Sequence, residues 1–227
     1  MTKDNNIKLL IIDFDGTVGD TQTLILNTMQ KTIAQLHLPA RSREQCKAMI
    51  GLPLKLTFTK LIDMTDEMGD LCAATYRKIF DEDNTPGFVP LFPNVAETLK
   101  TLHENGITLT IASSRSRLSL LNFIKDMKLG QYISLVMSCD DIHNPKPHPE
   151  MVQRILENTG HIPSEALVVG DAKYDIQMGK AAGCPTVGVT YGNGGRQEME
   201  DENADYIIDD FAQLADITGC GNKNNNN

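Results

Sequence analysis

Tryptophan is absent from the chain, and aromatic residues of all kinds make up only 5% of it. Positive charge is scarce too: 21 Lys and Arg stand against 30 Asp and Glu, a net charge of -9 over 227 residues. Nucleic-acid partners call for a basic surface with phosphate-binding side chains, so that class is excluded. No apolar segment approaches the roughly 20 residues needed to span a bilayer, which excludes a membrane helix. Residues 1–6, Met-Thr-Lys-Asp-Asn-Asn, lack the apolar core of a signal peptide. Cysteine is sparse and odd in number, at positions 46, 72, 139, 184 and 220, with no C-x-x-C pair. That pattern fits neither a disulfide framework nor a zinc site; it fits reduced thiols in a cytoplasmic protein.

What the chain does have is enough apolar content, 41%, for one ordinary domain and a smaller one. Its organising stretch is residues 7–20, IKLLIIDFDGTVGD. The run 9–12 suits a strand buried on both faces, as in a parallel sheet. Such a strand rarely ends in two acids, yet Asp13 and Asp15 follow at once. Alternation places them on one side of a continuing strand, where they repel unless a cation joins them or one keeps its proton. Gly16 and Gly19 allow a sharp turn, leaving both acids at the carboxyl edge, where open α/β sheets bind ligands.

Helical periodicity follows. Ile25, Met29, Ile33 and Leu36 line one face, with Pro39 ending the helix. Ser42 to Gln45 match a capping box, Pro53 suits a helix start, and Thr65 can cap a further helix. With no strand pattern before residue 88, residues 20–88 read as an all-helical insertion. Beyond it helix and strand alternate. Helices are expected at 95–105, 117–127, 150–158, 176–182 and 211–217, and strands at 107–112, 134–137, 166–169, 186–189 and 206–208. Such alternation implies parallel strands joined by right-handed crossovers. The expected fold is α/β: a Rossmann-like parallel sheet core (1–19 and 89–218), an inserted all-helical cap (20–88) and a disordered tail (219–227).

If the strands are parallel, their carboxyl ends share one edge. One ends in Ser113-Ser114-Arg115, where a hydroxyl and helix-start amides could hold a phosphate oxygen, although a serine there is commonly a plain N-cap. Another leads to Asn144-Pro145-Lys146-Pro147-His148-Pro149, a segment denied helix and ladder by its prolines and therefore a rigid loop presenting Lys146. A third ends in Gly170-Asp171, with Asp175 four residues on; these acids could also be ordinary helix caps.

Together these segments resemble the four motifs of the haloacid dehalogenase superfamily. D-x-D-G-T-x-x-D is matched by Asp13, Asp15, Gly16, Thr17 and Asp20; a Ser or Thr motif by Ser113; K-P-x-P by Lys146; and G-D-x-x-x-D by Asp171 and Asp175. Motif order and a helical insertion straight after the first motif are similar to the phosphoglycolate phosphatase and β-phosphoglucomutase branches. The resemblance implies a Mg²⁺-dependent phosphatase of small phosphorylated metabolites. In it Asp13 is the nucleophile and Asp15 the general acid and base, while Ser113, Ser114 and Lys146 bind phosphate. Metal ligands are implied at Asp13, the Asp15 carbonyl and Asp171. Thr17 fixes the turn, Asp20 braces the cap hinge, Asp175 ligates through water or orients Lys146, and Arg115 is an extra phosphate or substrate contact. Dehalogenases of the superfamily lack the second acid of the first motif, so Asp15 speaks for phosphoryl chemistry. A hexose-phosphate mutase is the alternative enzyme, weakened by Gly170 where that branch often has an acid. A catalytically idle binding protein is the alternative class.

Overall fold

The computed structural model describes residues 6–85 and 87–221. Its centre is a six-stranded, wholly parallel sheet in the order β3-β2-β1-β4-β5-β6. The strands are β1 (Leu9–Ile12), β2 (Thr108–Ala112), β3 (Ile133–Met137), β4 (Ala166–Gly170), β5 (Thr186–Val189) and β6 (Tyr206–Ile208). β1 lies in the middle because every one of its side chains is apolar and buried. Leu10 and Ile12 feed the hydrophobic cluster on one face of the sheet, Leu9 and Ile11 the cluster on the other. An alternating strand would have left one face wet.

Helices cover both faces. α5 (Val95–Glu104) and α6 (Arg117–Asp126) pack on the side of Leu10 and Ile12 through Leu99, Leu102, Leu120 and Phe123. α7 (Glu150–Thr159) and α8 (Lys173–Ala181) supply Met151, Ile155 and Met178 to the opposite side. Among the described residues, the helices and strands named between β1 and α5 are all helices: α1 (Gln22–Gln35), α2 (Arg43–Lys47), α3 (Leu54–Leu61) and α4 (Asp66–Asp83). α2 carries the Ser42–Gln45 capping box, and Thr65 caps α4 by accepting from the Met68 N–H. Their apolar interior runs on into that of the sheet. A chain of aromatic contacts links Phe14 to Phe123 (ring centroids 5.3 Å apart), Phe123 to Phe80 (6.2 Å), Phe80 to Tyr76 (5.8 Å) and Tyr76 to Phe58 (6.2 Å). Such tilted and stacked pairs add modestly to the area they bury.

Several details differ from the sequence pattern. A short helix, α9 (Arg196–Asp201), follows β5 and offers only one buried apolar residue, Met199. That side chain fills the space over Gly188, where a Cβ would stand 2.4 Å from its sulfur. The helix expected at 211–217 is a 3₁₀ turn over Phe211–Gln213 continued by α10 (Leu214–Ile217). Of the tail, residues 222–227 lie outside the described residues, while Cys220 packs against the core. No described helix is long and apolar enough to cross a membrane.

Candidate active site

The carboxyl end of β1 sets the site. The Asp13 N–H still donates to the Val169 carbonyl (2.8 Å), so the sheet ladder holds this residue rigidly. The chain then folds over the Phe14 carbonyl, which accepts from the N–H groups of Val18 (3.0 Å) and Gly19 (2.9 Å). Gly16 takes φ +89°, and a Cβ there would fall 2.1 Å from Asp171 Oδ2. Only glycine permits both the turn and the approach.

Lys146 reaches this edge from the proline loop after β3. Glu150 anchors that loop, its carboxylate accepting from the main-chain N–H groups of His143 and Asn144 and from the Asn144 side chain. These bonds, His143's foremost, draw Glu150 down to about 2. Lys146 Nζ donates to Asp13 Oδ1 and to Asp175 Oδ1, each at 2.6 Å. Asp175 Oδ2 in turn accepts from the Ala172 N–H (3.2 Å), which starts α8 ahead of its apolar pattern. Asp13, Asp171 and Asp175 each offer an oxygen within 4.8 Å of the others'. All three are buried, as is Lys146 at 2% exposure.

Three buried carboxylates around one ammonium leave negative charge uncompensated. Burial raises Asp13 well above the usual carboxylate range, which Lys146 only partly offsets, and Asp175 and Asp171 push it further. Burial and then Asp175 raise Asp171 to about 7, against hydrogen bonds from Asn193 and Thr17. Burial disfavours the Lys146 ammonium, but Asp13 and Asp175 outweigh it and hold the lysine protonated. A cluster with this balance attracts a cation.

Asp15 belongs to a different environment. Its Oδ1 accepts from Arg115 Nε (2.9 Å), Arg115 Nη2 (2.7 Å) and Thr21 Oγ1 (2.7 Å). The Arg115 guanidinium lies over two rings, Phe80 of α4 at 4.6 Å and Phe123 of α6 at 4.7 Å. Ser113 is fully buried and its hydroxyl accepts from the Arg115 N–H (3.2 Å). Ser114 Oγ donates to the carbonyl of Gly51, in the loop between α2 and α3 (2.8 Å), so its side chain touches the helical segment. Thr17 Oγ1 donates to Asp171 Oδ1 (3.2 Å), a contact across 154 positions of the chain and beyond any part in the turn. Asp20 is exposed; its N–H donates to the Pro90 carbonyl (2.9 Å), and its side chain stays outside the cluster.

Sequence reasoning passed over Thr21, Gln22 and Asn193. The Asn193 N–H and Nδ2 both donate to Asp171 Oδ2 (2.6 and 2.7 Å), and its Oδ1 accepts from Gln22 Nε2 (2.9 Å). A signal was available in Tyr191-Gly192-Asn193-Gly194-Gly195, a glycine-rich turn at the carboxyl end of β5.

Residues 10–189 match the family described as haloacid dehalogenase-like hydrolase. The pyrophosphatase PpaX of Anoxybacillus flavithermus is 33% identical over 215 residues, covering 94% of this chain and 98% of that protein. The phosphoglycolate phosphatase of Salmonella typhimurium is 31% identical over 247 residues, covering 99% and 98%. Among solved structures, a haloacid dehalogenase-like hydrolase from Bacteroides fragilis superposes with a TM-score of 0.86 at 26% identity, covering 92% of this chain and 99% of that one. Fold, motif order and relatives agree: the chain belongs to the haloacid dehalogenase-like hydrolases.

Proposed function

We propose that the protein is a Mg²⁺-dependent phosphatase of small phosphorylated metabolites that works through an aspartyl-phosphate on Asp13. The observation that carries this reading is the charge balance at the sheet edge, three buried acids within 4.8 Å and a single lysine shared by two of them. An oxygen-only donor set short of positive charge fits a small hard cation. Asp13, Asp171 and the Asp15 carbonyl would hold it, with Asp175 committed to Lys146. When bound, Mg²⁺ neutralises charge on the phosphoryl oxygens.

An oxygen of the Asp13 carboxylate attacks phosphorus, and the bond to the leaving oxygen breaks in line. Lys146, fixed by Asp175, supplies positive charge to the transferring group. Ser113 and the Ser114 amide bind its remaining oxygens. Asp15 gives its proton to the leaving oxygen, then takes one from the water that attacks the acyl phosphate, freeing phosphate and restoring Asp13. Arg115 and Thr21 fix the Asp15 carboxyl through Oδ1, which leaves Oδ2 for this proton. Residues 20–88 act as a cap over the core of residues 1–19 and 89–218, excluding water and reading the leaving group.

The named relatives guide the choice of substrates. Phosphoglycolate and pyrophosphate both release a small anionic group, and Arg115 beside Asp15 suits such a product. Gly170, where the mutase branch often has an acid, weakens the mutase alternative. Five free cysteines fit a reducing compartment such as the cytoplasm. The test is phosphate release from p-nitrophenyl phosphate, phosphoglycolate, pyrophosphate and sugar phosphates, with Mg²⁺ and with chelator. Turnover that needs Mg²⁺ is expected; no turnover of any of these compounds would favour a binding protein and overturn the reading.

A further inference from the structure

We propose that Asn193 is a positioning residue of the cation site, aiming Asp171, and that Gln22 makes this aim depend on the first helix of the cap. The inference rests on the phosphatase reading above and goes beyond it in giving a role to two residues outside the four motifs.

Asp171 has two carboxylate oxygens with unequal surroundings. Oδ2 takes two short bonds, from the Asn193 N–H (2.6 Å) and Nδ2 (2.7 Å). Oδ1 takes a single longer one from Thr17 (3.2 Å). Asn193 thus occupies one oxygen with two donors and leaves the other to Thr17 alone. The Asp171 main chain is held as well, its carbonyl accepting from the Gly194 N–H (3.0 Å). The loop can come this close only because position 192 is glycine: a Cβ there would lie 2.3 Å from the Gly16 carbonyl oxygen and 2.4 Å from Asp171 Oδ2. Asn193 Nδ2 also stands 3.5 Å from the Asp15 carbonyl, so one amide group touches two of the three expected ligands.

The chemistry at position 193 is specific. A carboxamide presents donors on one side and an acceptor on the other. Here the donor side meets the Asp171 carboxylate and the acceptor side meets Gln22 Nε2 (2.9 Å). Gln22 is the first residue of α1, one position past Thr21, which bonds Asp15. An aspartate at 193 would set a second carboxylate against Asp171, and an alanine would leave Oδ2 with the main-chain donor alone. Groups that orient a metal-bound carboxylate typically govern affinity by about 10–100-fold.

The test measures Mg²⁺ binding without substrate, by titration calorimetry and by the Mg²⁺-induced rise in melting temperature, in wild type, Asn193→Ala and Gln22→Ala. Asn193→Ala is expected to bind Mg²⁺ about 10–100-fold more weakly and to lose most of the Mg²⁺-induced rise. Its melting temperature without Mg²⁺ should stay close to wild type. Gln22→Ala, which frees the amide but keeps the main-chain bond, is expected to lose less than about tenfold. Wild-type affinity in Asn193→Ala overturns the positioning role, and wild-type affinity in Gln22→Ala overturns the link to the cap even if the first variant does not fold. Wild-type protein that binds no Mg²⁺ overturns the cation reading itself, and this inference with it.

Discussion

Asp13 and Asp15 stand two residues apart, and the fold places them in two different regions. Asp13 sits on the last rung of the sheet, its N–H bonded to Val169 and its carboxylate to a lysine that is itself locked by Asp175. Asp15 sits where sheet meets helices, its carboxylate held by Arg115 and Thr21, and Arg115 is in turn stacked on Phe80 of α4. Backbone ladders and buried charge preorganise the first acid. Side chains shared with the helical segment position the second. In the proposed phosphoryl chemistry, which needs both, one group is fixed by the sheet and the other answers to the helices that follow β1.

Variants can break this contrast from either side. Asp13→Asn should reduce turnover by about 10³-fold or more, on the scale of a lost nucleophile, in single-turnover assays. Because it removes one acid from an acid-rich cluster, it should fold and melt no lower than wild type without Mg²⁺. Asp15→Asn should lose about 10²–10⁴-fold. The loss should shrink for p-nitrophenyl phosphate, whose leaving group barely needs a proton, and grow for alkyl phosphates. An equal loss for both would detach Asp15 from the proton transfer. Lys146→Met leaves Asp13 and Asp175 buried without their cation, and urea titration should show a destabilisation of about 3–5 kcal/mol.

Titration sharpens the comparison further. Asp13 and Asp171 are both raised in the folded state, Asp171 from 3.8 to about 7. Between those values the folded protein keeps a proton that the unfolded chain has lost. Without Mg²⁺, stability should therefore fall as pH rises from 3.8 toward 7, with a limiting slope near 1.4 kcal/mol per pH unit for one proton. Denaturant unfolding across that range checks the slope, and saturating Mg²⁺ should flatten it. The smallest effect is expected at the junction: Phe80→Leu removes one face of the Arg115 sandwich, worth about 0.5–2 kcal/mol. It should lower kcat a few-fold while sparing Mg²⁺ binding. Mg²⁺ affinity that falls with Phe80→Leu would show that the Arg115 sandwich also supports the cation site.

How much of this was legible in the sequence follows from where the partners lie. A strand apolar on both faces and ending in acid marks its own edge, so Asp13, Asp15 and Asp171 could be read from local pattern, and the flanking prolines marked Lys146. The Ser42–Gln45 capping box and the parallel alternation were equally local. Thr21, Gln22 and Asn193 act through partners elsewhere in the chain, 171 positions away for the Gln22–Asn193 bond, and polar residues in a turn carry no periodic signal. α9 escaped because one buried methionine sets no period. Asp20, matched to the first motif, lies exposed at the start of the helical segment, since the chain has already turned outward after Gly19.

The central claim is that Asp13 itself becomes phosphorylated. Mixing enzyme with phosphoglycolate and Mg²⁺, quenching within the first turnover and reducing with borohydride converts an aspartyl-phosphate to homoserine, which mass spectrometry of the peptides locates. Homoserine at position 13 is the expected result. Full phosphate release with Asp13 unmodified at every quench time, or reduction at another acid, would contradict it.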